Sequence, residues 1–173
     1  MRRLICLLCL MLASCAPRGD GRIDVYRAVS VPIFSNAAFN MDRLVGTWIQ
    51  ADSFSSGATR PCRSGKAVFA PGPKGLTLTY RLCLSGQEVT GAGLIAATGP
   101  GRFKVLGRGG LDQDWWVIWV DEGYRTLAIG TPSGAFGFIL NRGEKLPQDR
   151  RKAAGEVFDF NGYDVGKLRP PGA

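Results

Sequence analysis

Residues 115–142 read WWVIWVDEGYRTLAIGTPSGAFGFILNR: three apolar runs cut by two polar turns. The runs are Trp115–Asp121, Arg125–Thr131 and Ala135–Asn141, and the separators "DEG" and "TPSG" carry the Gly, Pro and Ser that tight turns favour. Runs this short, rich in Trp, Val, Ile and Phe, read as strands rather than helices. Successive side chains of a strand point to opposite faces. Trp115, Val117 and Trp119 therefore share one face, and Trp116, Ile118 and Val120 the other.

The same punctuation runs upstream. Strand-like runs fall near Gly46–Phe54, Gly65–Ala70, Leu76–Leu84, Glu88–Ala97 and Phe103–Leu106, separated by "PGPKG", "LSGQE", "TGPG" and "GRGGLDQ". The Gly107–Gly110 stretch reads as a turn between strands rather than as a cradle for phosphates. Eight strands in series with short connections predict an all-β fold, an eight-stranded antiparallel up-and-down barrel, whose closure removes exposed sheet edges. Downstream, "LPQDRRKAAGEVFDFNG" changes period: Pro147 and Asp149 suit a helix start, Asn161-Gly162 a stop. Ala153, Ala154, Val157 and Phe158 share one side of that helix, an apolar stripe for the barrel's outer wall. Gly155 costs it about 1 kcal/mol relative to Ala.

The bulk numbers narrow the function classes. The chain has 173 residues, 45% of them hydrophobic and 21% charged, the balance of one globular domain with a sizeable core. Histidine is absent, which excludes Ser-His-Asp and Cys-His catalysis and histidine zinc sites. There is no nucleophile elbow, phosphate loop or metal cluster, so no catalytic residue, cofactor or metal is expected. The formal charge is +8, but without a dense Lys/Arg stripe or a nucleic-acid motif it reads as scattered, solvated charge and not as a nucleic-acid surface.

The chain opens MRRLICLLCLMLASC. Arg2 and Arg3 precede an apolar run, Leu4–Leu12, too short to span a bilayer, and Leu12-Ala13-Ser14-Cys15 resembles a bacterial lipobox. The resemblance implies a signal peptide over 1–14, acylation of Cys15, a lipidated N-terminus and tether over 15–38, and a domain over 39–173. Several acyl chains on one residue anchor firmly, each buried methylene contributing about 0.8 kcal/mol. Ala16 in place of Asp directs such a lipoprotein to the outer membrane, facing the periplasm. Cleavage removes Arg2 and Arg3 and leaves a charge of about +6. Val25, Tyr26, Val29, Val31, Ile33 and Phe34 make the tether less polar than a pure linker, so part of it can pack on the domain. Cys62 and Cys83 remain as one pair in an oxidising compartment. A hairpin turning near Gly72 and Pro73 sets them face to face; a disulfide there closes a loop of about 20 residues and contributes about 3 kcal/mol. Two free buried thiols are the alternative.

Beyond these residues a resemblance becomes specific. "FNMDRLVGTW" places Gly46-Thr47-Trp48 at the start of the first strand, as in the lipocalin Gly-x-Trp motif, and "VIWVDEGYRTLAIGTPSGAFGFILNR" is similar to the second and third lipocalin motifs in series. Asp121 and Tyr124 lie at the sixth turn, Arg142 ends the eighth strand, and "NGYDVGKL" resembles the segment after the lipocalin helix. The match is to bacterial lipocalins, outer-membrane lipoproteins related to apolipoprotein D. It covers Phe39–Ile49 and Trp115–Leu168, with a looser match between. The resemblance implies that Trp48 plugs the closed end with Arg142 across it, a guanidinium–indole contact of about 0.5–2 kcal/mol. It implies no catalysis, and binding of a fatty acid, lysophospholipid or other small amphiphile. The family register turns Gln50, Trp115, Val117, Trp119, Thr126, Ala128, Phe136 and Phe138 toward the ligand. Large inward rings at Trp115 and Trp119 would alternatively fill the hole. Ile49, Gln50 and the short tail "LRPPGA" depart from the family pattern. A protein-binding barrel, such as a periplasmic protease inhibitor with one disulfide, is the competing reading, although such inhibitors lack the Asp121, Tyr124 and Arg142 series and the trailing helix.

Overall fold

Residues 24–57, 62–109 and 111–172 are described by a computed structural model; the leader, Cys15 and the first part of the tether lie outside the described residues. Eight antiparallel strands follow one another around a ring: β1 (Gly46–Phe54), β2 (Lys66–Gly72), β3 (Gly75–Leu84), β4 (Gln87–Gly99), β5 (Arg102–Gly109), β6 (Trp115–Val120), β7 (Thr126–Gly130) and β8 (Gly137–Asn141). Strand β1 pairs with both β2 and β8, which closes the barrel. Helix α1 (Gln148–Phe160) packs outside, and a two-residue strand, β9 (Leu168–Arg169), adds to the far end of β1.

The β5–β6 seam consists of two residue pairs, Arg102↔Trp116 and Phe103↔Trp115. The "GRGG" stretch is not a turn throughout, because β5 runs to Gly109. Across β4 and β5, Gly91 faces Gly109 and Gly93 faces Gly107. The backbones lie so close that a Cβ on Gly107 would sit 2.1 Å from the Ala92 carbonyl oxygen, and one on Gly93 2.4 Å from that of Leu106. Only glycine fits such an approach.

Two bulges decide which side chains face inward. In β6, Val117 pairs with Ile129 and Trp119 with Ala128, so Ile118 is the extra residue. A bulge reverses the alternation beyond it. Trp115 and Val117 lie in the inner core, whereas Trp119 turns outward with Trp116 and Ile118, and Val120 turns inward. In β1 a bulge between Gln50 and Asp52 leaves Trp48 and Gln50 inside but sends Asp52 and Phe54 beneath α1.

The outer core joins Ala154 and Phe158 of α1 to Phe54, Ile118, Ala128 and Ile139. Pro147 starts the helix without a side-chain cap, and Gly162, at φ +80°, ends it. Arg151 of α1 reaches Asp52 at 2.7 Å. Asp52 is 1% exposed and one of its carboxylate oxygens has no partner; burial, only partly offset by Arg151, raises its pKa. Thr126 and Asn141 also face α1, bonded to each other at 2.9 Å, with Arg150 donating to Thr126 at 2.6 Å.

Residues Asp24–Ala38 are not a free tether but lie on the barrel. Tyr26 donates its backbone N–H to Gly134, Ala28 to Gly162, and Asn36 to Val117. Arg27 is buried, and its guanidinium donates to the carbonyls of Asn161, Pro132 and Val31, staples that need no carboxylate. Its position at the end of α1 also answers the negative pole of the helix. Cys62 and Cys83 form a disulfide with Cα atoms 5.6 Å apart. The hairpin register differs from the expected one: Gly72 faces Gly75, and Cys62 lies ahead of β2.

Candidate functional site: a plugged base and an open mouth

The base is built around Trp48. Its indole is fully buried and donates to the Leu44 carbonyl at 2.7 Å, and the Arg142 guanidinium lies over the ring at 4.1 Å. All three Arg142 nitrogens are used, with Nε donating to Tyr124 O at 2.9 Å and the other two to Val45 O at 3.0 Å and Arg43 O at 2.7 Å. Burial and the neighbouring Arg43 charge lower the Arg142 pKa from its ordinary value. The Gly46 requirement is visible: at φ +120°, a Cβ there would sit 2.7 Å from an Arg142 nitrogen. Tyr124, itself at φ 52°, accepts the Asn40 N–H on its hydroxyl and carries the Arg43 guanidinium 3.7 Å from its ring centre.

Asp121 ties the β6–β7 turn. Its carboxylate accepts the N–H groups of Arg125 and Thr126, both at 2.6 Å, and the Arg125 guanidinium at 3.1 Å. Burial works to raise its pKa, but these donors overcome burial and hold it below the ordinary carboxylate value. The five sequence-expected motif residues are thus brought together or into direct succession at one end.

Above the plug the interior is filled with rings. Trp115 lies 5.3 Å from Tyr80, 5.6 Å from Phe103, 6.0 Å from Phe136 and 5.3 Å from Phe138, centre to centre. Trp115, Val117, Phe136 and Phe138 therefore face inward as expected, and they pack as core. Trp119, Thr126 and Ala128 do not belong to the lining. Trp119 is displaced by the β6 bulge. Thr126 and Ala128 pair with Asn141 and Ile139 on the outer side of β7, where α1 covers them. Gln50 faces inward but serves as a strut: its amide donates to Cys83 O and accepts from Cys83 N and Gly65 N.

Open space lies toward the mouth, the end carrying the β3–β4, β5–β6 and β7–β8 connections. A cavity of about 420 Å³ is bounded by Tyr80, Val105, Leu111 and the bare backbone of Gly107 and Gly109, with Arg108 and Asp112 at its edge. This falls in the range of small-molecule sites, about 300–1,000 Å³. Burial raises the Tyr80 pKa, partly offset by a hydrogen bond to the Leu111 backbone. Below Tyr80, the Trp115 Nε1–H is buried and has no acceptor. A larger concavity, about 580 Å³, opens on the outer wall, where Lys66, Val68, Thr79 and Arg81 are outward-facing. It shares Tyr80, Arg108 and Gly109 with the mouth cavity but is the more open of the two, so the more enclosed mouth cavity is the candidate site. Tyr80, Val105 and Leu111 were not singled out from sequence. Their signal was the spacing of Gly91, Gly93, Gly107 and Gly109, which removes side chains from one wall. Among the described residues no group of three or more His, Cys, Asp or Glu gathers to hold a metal.

A lipocalin-like domain model matches residues 39–172. The chain belongs to the lipocalin-like domain family. Among curated proteins it resembles temperature-induced lipocalin-1 of Arabidopsis thaliana, 34% identical over 55 residues, a stretch that spans 32% of this chain and only 30% of that protein. Solved structures of similar fold include the cockroach allergen Per a 4, with a TM-score of 0.58 at 12% identity over 81% of this lipocalin and 92% of that chain. Insecticyanin from the tobacco hornworm Manduca sexta has a TM-score of 0.59 at 13% identity, over 85% and 86%. At such identities these neighbours speak for the fold alone: a closed eight-stranded barrel with one helix outside.

Proposed function

We propose that this lipocalin is a lipid-anchored protein of the cell envelope, held at the outer membrane through Cys15, that carries or stores a small amphiphile such as a fatty acid or lysophospholipid. The observation that carries the binding part is the mouth cavity: a cup of about 420 Å³ over a filled barrel floor, with apolar walls from Tyr80, Val105 and Leu111 and a polar edge of Arg108, Asp112 and glycine backbone, a mixed lining that suits an amphiphile. Such a cup takes part of an acyl chain. It does not take a long chain run down to the base, because Trp115, Phe103 and Phe138 occupy that space. Nothing in the cup supplies a nucleophile with a base, so binding rather than turnover is the activity assigned.

The test is titration of the delipidated mature domain with a fluorescent fatty-acid analogue, read by quenching of tryptophan emission. Saturable binding is expected, and Leu111→Asp, in the cup wall, weakens it at least tenfold, about 1.4 kcal/mol. Non-saturable binding, or identical titrations for the two proteins, sinks the cup as the site. Mass analysis of the protein from native membranes tests the anchor: an acylated Cys15 is expected, and an unprocessed Met1 end removes it.

A further inference from the structure

We infer that the anchored protein lies with its mouth toward the bilayer, docked through a surface formed by residues 24–34 and 160–165. The inference rests on the anchor proposed above and adds an orientation to it. Two independent observations support it.

The first is where the residues that follow the tether lie. Asp24 accepts from Ser56 at 2.6 Å in the β1–β2 connection, Tyr26 pairs its hydroxyl with Ser85 at 2.7 Å in the β3–β4 turn, and the Tyr26 N–H donates to Gly134 between β7 and β8. All three partners belong to mouth connections, so Asp24 and Tyr26, the residues that follow the tether, sit at the mouth rim. Nine residues, Ala16 to Asp24, separate that rim from Cys15, a reach of at most about 30 Å when fully extended.

The second is where apolar side chains remain in water. Among the described residues seven large hydrophobic side chains are exposed, and five of them are Val25, Val29, Phe34, Phe160 and Val165. These five sit on two segments stitched together by backbone bonds: Ala28 N–H to Gly162 O, Asp164 N–H to Tyr26 O, and the Phe34 N–H to the Asn161 side chain. Phe34 and Phe160 are 56% and 68% exposed, with ring centres 6.0 Å apart. A contiguous exposed apolar patch marks an interaction surface. Aromatic rings held beside an acyl anchor suit the boundary between headgroups and chains. Two exposed rings and three exposed valines on the segments that follow the tether and the helix commit the occupant to a bilayer. Ligand would then pass between membrane and mouth cavity without crossing bulk water.

The experiment uses the full mature chain, coupled through its Cys15 thiol to a maleimide lipid in vesicles that carry a headgroup acceptor dye. A donor is placed through a non-natural amino acid at Gln87, which opens β4 at the mouth end, or at Lys74, in the β2–β3 turn at the base end; both positions are exposed. Ten strand residues at about 3.3 Å each, tilted by about 40°, separate the two probes by about 25 Å along the barrel. Energy transfer from Gln87 is expected to exceed that from Lys74 at least twofold, and Phe34→Ser with Phe160→Ser to remove the difference while the protein stays on the vesicle. Equal or reversed transfer in the unsubstituted chain overturns the orientation, and so does an undiminished difference in the double variant. If that variant fails to fold, as near-ultraviolet circular dichroism would show, the unsubstituted pair of probes decides alone. Absence of acyl chains on native Cys15 overturns the anchor reading, a result distinguishable from equal transfer on vesicles where the anchor is supplied chemically.

Discussion

At the base, Arg142 stretches over Trp48 and spends all three guanidinium nitrogens on carbonyls from three separate residues. At the mouth, four glycines face one another across β4 and β5 and leave a wall of bare backbone beside Tyr80. The same sheet makes both ends. One end is closed by contacts that each depend on the others; the other is kept open by withholding side chains. Interlocking contacts are concentrated at the end away from the cavity, which leaves the mouth free to vary in shape without loosening the fold.

Substitutions can break this contrast or sharpen it. The largest expected effect is Trp48→Ala, which empties the plug and strips Arg142 of its partner; chemical denaturation should show a loss of about 3–5 kcal/mol. Replacing Cys62 and Cys83 together with Ser relaxes the loop at the mouth and is expected to cost about 3 kcal/mol, seen as a lower urea midpoint with ligand affinity little changed in the folded fraction.

Asp121→Asn comes next, at about 1–2 kcal/mol, because a neutral amide accepts the Arg125 and Thr126 N–H bonds less strongly. Its pH dependence is the sharper check. The folded-state pKa of Asp121 is lowered, so its contribution is fully present above the unfolded pKa and is lost as pH falls through the folded one. Asp52, with its pKa raised by burial, acts in the opposite sense. The folded state holds that proton more tightly, so acidification through the folded pKa toward the unfolded one adds stability. Asp52→Asn is therefore the smallest effect, under about 1 kcal/mol at neutral pH. It should flatten the acid-side gain without touching the Asp121 loss. A pair of stability-against-pH curves that do not diverge in this way would mean that the two carboxylates have been assigned wrongly.

The base was legible in the sequence because its signals are chemical and local: Gly46 and Trp48 two apart, Asp121 and Tyr124 in one turn, Arg142 at a strand end. The strand order followed from turn residues. What alternation did not reveal was the side of each residue beyond a bulge. One extra residue at Ile118 sends Trp119 outward, and nothing in "WWVIWV" marks it. Thr126 and Ala128 escaped for a different reason. Every residue of β7 and β8 is buried, since the ring core lies on one side and α1 on the other. A strand covered on both faces loses the apolar–polar rhythm from which facing is read. The packing of Asp24–Ala38 was foreshadowed only by its apolar content, and its staple, Arg27, has no carboxylate partner for a sequence to advertise.

The join between β5 and β6 has a mechanical meaning. A ring is as strong in tension as its weakest link, and here that link is two residue pairs, whereas β4 and β5 hold each other over eight. Thermal breathing will spread the wall at this point first, and the backbone amides of Lys104–Gly109 that look toward β6 will exchange with solvent ahead of the rest of the sheet. The cavity adjoins the same stretch of β5. The barrel is thus better pictured as a cuff with one soft fastening than as a rigid cup, and its fastening sits beside its cavity.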